Sequence, residues 1–289
     1  MRTVAGFFSR WAILGAIWVW GMGGWGASEL GASPIVIYHF DEGTGTTAYD
    51  SVGSAHGTIN GATWTTGKFG YALSFDGVND LDADYVSVSN FPSGSYSQLT
   101  VEAWIYPLDK EGKQVLINEQ NGDTLWMNFD TNGFDKLDIY LGDTTNKGYH
   151  SSNTAIARNT WSHVAFTYND ITDELKLYIN GQLDRTITTS GVLVFDSSIV
   201  LGRREVASPP YIESFKGLLD EVAFYNRVLS AEEIRARYLD GPPPGIPEPA
   251  SGVLLVIGLA LLAARTAWGP QRAAGPQPLM APTGEDPKG

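Results

Sequence analysis

The stretch ELKLYINGQL, residues 174–183, carries the clearest fold signal in the chain. Leu175, Leu177 and Ile179 alternate with other residues, and such period-two alternation is typical of a strand with one buried face and one solvated face. Asn180–Gly181 follows, and both residue types tolerate the positive φ angles that a tight type I′ turn requires. The stretch therefore predicts an antiparallel β-hairpin.

The same alternation recurs in LTVEAWIY (99–106), TLWMNFD (124–130) and KLDIYL (136–141). One buried face and one wet face is the pattern of antiparallel sheets. Short strands of this kind with Gly- and Asn-rich turns between them predict an all-β antiparallel sandwich of the jelly-roll type. The predicted core positions are Leu99, Val101, Ala103, Ile105, Leu125, Met127, Phe129, Leu137, Ile139 and Leu141.

One short helix is predicted near the end of this all-β region. Ser230 and Glu233 have the spacing of a capping box, and Leu229 and Ile234 have the spacing of a hydrophobic staple. The helix should end near Asp240, because the GPPPG segment that follows cannot continue it. The predicted domain spans residues 34–240.

Composition restricts the chemistry and the partners. The chain has 289 residues, no cysteine and a formal net charge of −13. Disulfides, thiolate metal sites and cysteine nucleophiles are therefore excluded. The negative charge lies in the middle of the chain, and it argues against nucleic acid as a partner. This negative charge remains compatible with divalent cations or neutral glycans as partners. It is also compatible with an acidic surface that only keeps the protein soluble.

The N-terminal segment predicts export. Arg2 and Arg10 precede the uncharged run WAILGAIWVWGM, and small residues follow in GGWGAS. A charged start, a short apolar centre and a small-residue exit describe a secretory signal peptide, predicted over residues 1–28. An uncleaved N-terminal anchor is the alternative.

The C-terminal segment predicts sorting. A Pro-rich linker (241–249), a hydrophobic segment (250–268) and a flexible tail (269–289) follow the domain. Pro247, Glu248 and Pro249, then the apolar run, then Arg265, resemble the PEP-CTERM sorting signal. The resemblance implies an exosortase-type enzyme, transient anchoring in the inner membrane and delivery to the surface of a Gram-negative bacterium. An ordinary C-terminal anchor is the alternative.

Several motifs of the central region resemble, in order, those of LamG-like (laminin G-like) domains with the concanavalin A-like lectin/glucanase jelly roll. The resemblance covers about residues 35–240 and implies two packed antiparallel sheets with the first and last strands close together. The motifs are YHFDEGTGTTAYDSVGSAHGTINGATWTTGKFGYALSFDG (38–77), TVEAWIYP (100–107), TWSHVAFTYN (160–169), LKLYINGQL (175–183), VLGRR (200–204) and FKGLLDEVAFYNRVLSAEEI (215–234).

A structural calcium ion is expected from this resemblance. Alternation in LLDEV places Asp220 beside Leu218 and Val222, and a carboxylate on an apolar face must be paired or coordinated. Because related domains hold calcium between the first and last strands, the predicted ligands are Asp41, Glu42, Asp50 and Asp220. The alternative is that Asp220 accepts backbone N–H groups in a buried turn, without metal.

Function is predicted from the resemblance and from the aromatic side chains. The leading hypothesis is an exported, noncatalytic carbohydrate-binding or adhesion module for a glycan or exopolysaccharide. The alternatives are a structural matrix protein without a ligand site, and a polysaccharide hydrolase or lyase. The ExDxxE string of related glycosidases is absent from the sequence. Outward aromatic rings could stack on sugars or pack within the sheet. The candidates are Trp104, Tyr106, Trp126, Tyr140 and Tyr149.

Overall fold

The computed structural model describes residues 34–110, 112–119, 124–129, 134–142, 144–145, 147–207 and 210–241. The predicted signal peptide, the Pro247–Glu248–Pro249 motif, the hydrophobic segment and Arg265 lie outside these residues. The described strands and helix are β1 (Val36–Tyr38), β2 (Thr47–Ala48), β3 (Gly57–Asn60), β4 (Thr63–Thr66), β5 (Tyr71–Asp76), β6 (Tyr85–Val88), β7 (Gly94–Tyr96), β8 (Gln98–Pro107), β9 (Gln114–Glu119), β10 (Leu125–Phe129), β11 (Lys136–Leu141), β12 (Gly148–Ala155), β13 (Ser162–Asn169), β14 (Glu174–Ile179), β15 (Gln182–Thr188), β16 (Leu193–Phe195), β17 (Ile199–Leu201), β18 (Arg203–Ala207), β19 (Pro210–Ser214), β20 (Lys216–Tyr225) and α1 (Ala231–Asp240).

Two eight-stranded sheets form the sandwich. Sheet A has the strand order β15-β14-β13-β8-β20-β5-β4, with β1 also paired to β20. Sheet B has the order β12-β11-β10-β9-β17-β6-β3-β2. Every described pairing is antiparallel, and the first strand pairs with the last, Val36 opposite Phe224. The predicted all-β sandwich with one C-terminal helix is confirmed.

The hairpin predicted over residues 174–183 forms between β14 and β15. β14 pairs with β15 across the Asn180–Gly181 turn, whose φ angles are 50° and 74°. Asn180 also accepts a hydrogen bond from the backbone N–H of His163 through its side-chain oxygen (2.9 Å), which ties the turn to β13. The turn therefore fixes the register of sheet A at this edge.

The core lies between the inner faces of the two sheets, and the alternating apolar residues of each strand fill it. All ten predicted core residues of β8, β10 and β11 are buried there, together with Leu175, Leu177 and Ile179 of β14. Removal of this apolar surface from water is the main stabilising contribution to a fold without disulfides.

The expectation of one wet face per strand is wrong for the central strands. On β8, Thr100, Glu102 and Trp104 alternate with the core residues yet are also buried. Helix α1 covers this outer face of sheet A, where Ile234 packs with Tyr225 in a second, smaller apolar cluster. Sequence alternation shows which residues share a face, but it cannot show that another element covers the polar one.

A β-bulge interrupts β20 at the position of the acidic pair. The register with β8 shifts between Asp220 and Ala223, and Glu221 adopts φ 52°. Val222 therefore points into the core, whereas Asp220 lies opposite Trp104 on the outer face of sheet A. The prediction that Asp220 shares a face with Val222 is wrong, because an extra residue inverts the alternation.

Helix α1 begins as predicted. The Ser230 side chain accepts from the Glu233 backbone N–H, and the Glu233 side chain accepts from the Ser230 N–H, so the capping box is complete. Leu229 and Ile234 are both buried in the second cluster, as the staple requires. Within the described residues, no helix has the length and apolar character needed to cross a membrane.

Candidate functional site

An aromatic row crosses three strands on the outer face of sheet B. Trp126 of β10 lies opposite Asn118 of β9 on one side and Tyr140 of β11 on the other, and Tyr140 lies opposite Tyr149 of β12. These side chains share the outer face because their neighbours along the strands, such as Met127, point into the core. The structure thus brings together three of the five aromatic residues predicted from the sequence.

The three rings form a contiguous cluster, in which Trp126 and Tyr140 stack and Tyr149 is tilted against both. Trp126 and Tyr140 are 3.9 Å apart between centroids and 14° from parallel. Tyr140 and Tyr149 are 5.2 Å apart, and Trp126 and Tyr149 are 6.0 Å apart. Aromatic contacts of this kind contribute beyond the area that they bury. The stack therefore holds each ring in a defined orientation.

Exposure differs sharply along the row. Trp126 is 6% exposed and Tyr140 is 8% exposed, whereas Tyr149 is 40% exposed. The guanidinium of Arg204 lies 3.5 Å from the Trp126 ring centroid, and Lys113 Nζ lies 5.1 Å from it. Tyr149 is consequently the accessible residue of the row, and Tyr140 and Trp126 contact its ring from the neighbouring strands.

A second row, of polar side chains, runs beside the aromatic row. Asn128 of β10 lies opposite Asp138 of β11, and Asp138 lies opposite Ser151 of β12. Asn128 is fully buried, and neither of its amide atoms has a hydrogen-bond partner among the described residues. The same holds for the Oδ1 atom of the buried Asn118.

Sequence reasoning missed this polar row. The available signal was its spacing, because Asn128 and Asp138 each lie two residues from an aromatic residue of the row on the same strand. Residues i and i+2 of a strand share a face. Asn128 and Asp138 therefore lie, buried, on the same face of sheet B as the aromatic row.

A cationic border completes the site. Lys113 Nζ donates to Tyr149 Oη (2.7 Å) and lies 3.0 Å from the Glu213 carboxylate. Arg204 and Glu213 are cross-strand partners in the β18–β19 hairpin, with 3.5 Å between Arg204 Nη1 and Glu213 Oε2. Lys113, just before β9, is thereby joined to a hairpin that is distant in sequence.

The other two predicted aromatic residues lie elsewhere. Trp104 belongs to sheet A, is 2% exposed and stacks on Tyr238 of α1, with centroids 5.5 Å apart. Phe69 and Lys68 also contact this ring, so Trp104 packs within sheet A and against α1. Tyr106 is half-buried on the same sheet and contacts Trp161 edge-on at 5.6 Å.

The predicted calcium ligand Asp50 acts as a loop cap. Its Oδ1 accepts from the backbone N–H groups of Ile37 and Val52, and its Oδ2 accepts from that of Ala55, all at 3.1 Å. Both carboxylate oxygens are thus engaged by backbone donors. This arrangement fastens the loop after β2 to the first strand.

The other three predicted ligands also accept backbone N–H groups. Asp41 binds the Tyr71 N–H (2.9 Å), and Glu42 binds the Tyr49 N–H (2.7 Å). Asp220 Oδ2 accepts from two successive N–H groups, at 2.8 and 3.1 Å, in the turn before β5. In the described part of the chain, no three or more His, Cys, Asp or Glu side chains are grouped to hold a metal. The four residues therefore fit loop capping better than one shared calcium site, and calcium binding stays a prediction.

The acidic pair of β20 is electrostatically unusual. Burial raises the pKa of Asp220 to about 8, against the opposing effect of its backbone hydrogen bonds. Its Oδ1 atom is buried without a described partner. Burial also raises the pKa of Glu221, and the hydrogen bond that His39 Nδ1 makes to Glu221 Oε2 (2.6 Å) raises the pKa of His39. The raised pKa favours the neutral form of Asp220, which needs no counter-charge.

Comparison with known proteins identifies the fold. A model of the concanavalin A-like lectin/glucanases superfamily matches residues 80–235. No curated protein matches the chain. Domain 4 of AbnA, an extracellular arabinanase from Geobacillus stearothermophilus solved with arabinotriose, is similar with a TM-score of 0.53 and 21% identity, over 70% of this chain and 97% of that one.

Botulinum neurotoxin binding domains are also similar. The serotype G domain has a TM-score of 0.54 and 14% identity, over 72% of this chain and 51% of that one. A type C neurotoxin structure, described as dependent on two ganglioside molecules for cell entry, has a TM-score of 0.54 and 16% identity, over 73% and 52%. This chain thus spans about half of those structures, and the likeness is one of fold. By the match over residues 80–235 and by its two-sheet architecture, the chain belongs to the concanavalin A-like lectin/glucanases superfamily.

Proposed function

We propose that this chain is a noncatalytic carbohydrate-binding module whose site is the outer face of sheet B. The observation that carries the proposal is the accessible ring of Tyr149, supported by the stack of Tyr140 and Trp126. Aromatic rings present large apolar faces, and a few placed polar groups beside them orient a bound small molecule. A sugar ring, with apolar C–H groups on its faces and hydroxyls at its edge, suits both features.

The polar row supports the same conclusion. A buried polar group without a partner costs about 1–3 kcal/mol. The amides of Asn118 and Asn128, beside Trp126, have atoms without a partner in the part of the chain that the structure describes. An ordered water at these buried atoms would recover that cost and would bridge from them to a ligand hydroxyl. Amide groups both donate and accept, which suits the mixed character of a sugar hydroxyl.

Some of the fold relatives bind carbohydrate according to their descriptions. The arabinanase domain was solved with arabinotriose, and the type C neurotoxin depends on gangliosides. We take these as support for a carbohydrate ligand, since one fold hosts many functions and the site itself must carry the argument. Structural calcium is kept as a separate proposal, tested below.

We further propose that the module acts outside a Gram-negative cell. The signal-like segment at residues 1–28 and the Pro247–Glu248–Pro249 tail with Arg265 motivate this proposal. Replacing the three motif residues by alanine should retain the protein at the inner membrane if an exosortase-type enzyme reads them. Fractionation with an antibody to the domain measures this, and normal surface delivery of the variant would contradict it.

Glycan binding is tested with the purified full chain on a glycan panel that includes the exopolysaccharide of the source bacterium. Tyr149→Ala should weaken binding about tenfold, because the stacking ring is lost. Tyr49→Ala is the matched control, since Tyr49 is an exposed tyrosine (55%) outside sheet B's aromatic row.

The alternatives predict other outcomes. A wild-type chain that binds no glycan, with or without calcium, would favour the structural matrix role. Release of new chain ends from a polysaccharide, abolished by removal of one carboxylate, would favour the hydrolase or lyase. Equal losses in Tyr149→Ala and Tyr49→Ala would move the binding site away from this face.

A further inference from the structure

We propose that the site takes an acidic glycan, built from uronic acid residues, and that Glu213 occupies the place of the sugar carboxylate in the unliganded protein. The inference rests on the proposed function and names the ligand class of that site. It follows from how Lys113, Arg204 and Glu213 are arranged around the aromatic row.

The side chains of Lys113 and Arg204 both contact the Glu213 carboxylate. Glu213 Oε2 lies 3.0 Å from Lys113 Nζ and 3.5 Å from Arg204 Nη1. These three residues carry two positive charges and one negative charge. Their side chains are 11%, 17% and 14% exposed for Lys113, Arg204 and Glu213. At this partial burial, water and salt screen the charges less than at an open surface.

Both cations lie against the aromatic rings rather than away from them. Lys113 Nζ is 4.9 Å from the Tyr149 ring centroid and 5.1 Å from that of Trp126, and the Arg204 guanidinium is 3.5 Å from the Trp126 centroid. A sugar stacked on Tyr149 therefore presents its ring substituents to Lys113. A carboxylate substituent gains a charge-assisted hydrogen bond there, roughly twice as strong as that of a hydroxyl.

Glu213 is a carboxylate already bound at this position. Because it is covalently part of the β18–β19 hairpin, it competes with a ligand carboxylate for the same two cations. The chain as a whole, at −13, repels polyanions. In this proposal the two cations supply the selectivity for an acidic sugar, and neutralising Glu213 should strengthen it.

The test compares oligogalacturonate and oligoalginate with methyl-esterified oligogalacturonate, which has the same sugar without the charge. Binding to the full chain is measured by calorimetry, and thermal melts confirm folding. In Glu213→Gln the ratio of acidic to esterified affinity should rise about fivefold, the size of one partly screened ion pair. Glu205→Gln is the matched control: it removes the same charge from an exposed residue of the same hairpin and should leave the ratio unchanged.

Lys113 provides the reverse test. Lys113→Gln should lower acidic affinity roughly tenfold through loss of the charge-assisted bond, and Lys113→Arg should restore most of it. Binding of both ligands at a ratio that no variant changes would overturn the acidic class. So would binding of only neutral glycans from the panel, and both results leave the carbohydrate site standing. Failure of the wild type and Glu213→Gln to bind any glycan overturns the class and the site together.

Discussion

The indole of Trp126 lies between the ring of Tyr140, 3.9 Å away and nearly parallel, and the guanidinium of Arg204, 3.5 Å away. Trp126, which a sequence analysis would choose first as a sugar platform, thus has its ring covered by other residues of the same chain. What the site offers to a ligand is the neighbouring Tyr149. Affinity should therefore depend on the whole stack, and not on the tryptophan alone.

Removing the cation from Trp126 should expose the indole. The emission of Trp126 is identified as the part of the fluorescence that is lost in Trp126→Phe. We expect Arg204→Met to increase acrylamide quenching of this emission, because a mobile thioether side chain holds the hairpin less firmly than a guanidinium paired with Glu213. Arg203→Met, the adjacent arginine, which lies over Tyr85 at 3.9 Å, is the control. Equal quenching in wild type and Arg204→Met would show that other groups shield the indole.

The Asn128 side chain should lower the free energy of unfolding and raise the affinity for glycan. Asn128→Leu replaces an unpartnered buried amide by an apolar side chain of similar size, so we expect unfolding free energy to rise by about 1 kcal/mol. Glycan affinity should fall in the same variant. Denaturant unfolding and calorimetry measure the two effects. A destabilised Asn128→Leu variant would show that the amide is satisfied in the folded protein.

Asp50 should stabilise the first loop without metal. Asp50→Ala leaves three buried or half-buried N–H groups unpaired, and we expect a loss of about 3 kcal/mol. The loss should be the same in EDTA and in calcium. If calcium instead raises the Tm of the wild type and Asp50→Ala abolishes that rise, the residue is a calcium ligand, as the resemblance to LamG-like domains implies.

Asp220 should make stability fall as pH rises. Its pKa is raised from 3.8 to about 8 in the folded state, so between these values the native protein binds more protons than the unfolded chain. The stabilising contribution is complete below about pH 4 and is lost as pH rises through about 8. Asp220→Asn keeps a neutral acceptor for the two N–H groups. Its Tm should therefore exceed that of the wild type at pH 9, with the difference shrinking toward pH 5.

The measurement is a series of melts in EDTA between pH 5 and pH 9. Burial raises the pKa of Glu221, and the hydrogen bond to the Glu221 carboxylate raises the pKa of His39, so both groups act in the same direction as Asp220. The difference between Asp220→Asn and wild type isolates the aspartate. Asp82→Asn, at an exposed carboxylate, is the control. Parallel curves for Asp220→Asn and wild type would mean that Asp220 is ionised when folded.

Local signals in the sequence were sufficient for much of the fold. Asn180–Gly181 predicted the hairpin because few residue pairs accept two positive φ angles. Ser230 and Glu233 predicted the start of α1 because their side chains satisfy N–H groups within the same turn. Each of these interactions is formed within a few residues of the chain, so the local sequence is sufficient to predict it.

The extra residue in β20 could not be predicted in the same way. Alternation assumes an unbroken ladder, and the positive φ of Glu221 depends on pairing with β8, more than a hundred residues earlier. A single bulge inverts every later assignment of faces. For that reason no local pattern indicates that Val222 enters the core while Asp220 points away from it.

The sequence by itself determined the class of fold, the strand faces that fill the core and the ends of the helix, because periodicity and capping are local. Only the tertiary structure decided which aromatic residues form a site. Trp104 and Tyr149 both occupy outward positions of strands, yet α1 covers the first and leaves the second 40% exposed. Likewise, Lys113 meets Glu213 across one hundred residues of chain, through a contact that depends on the packing of separate strands and not on any neighbouring residue.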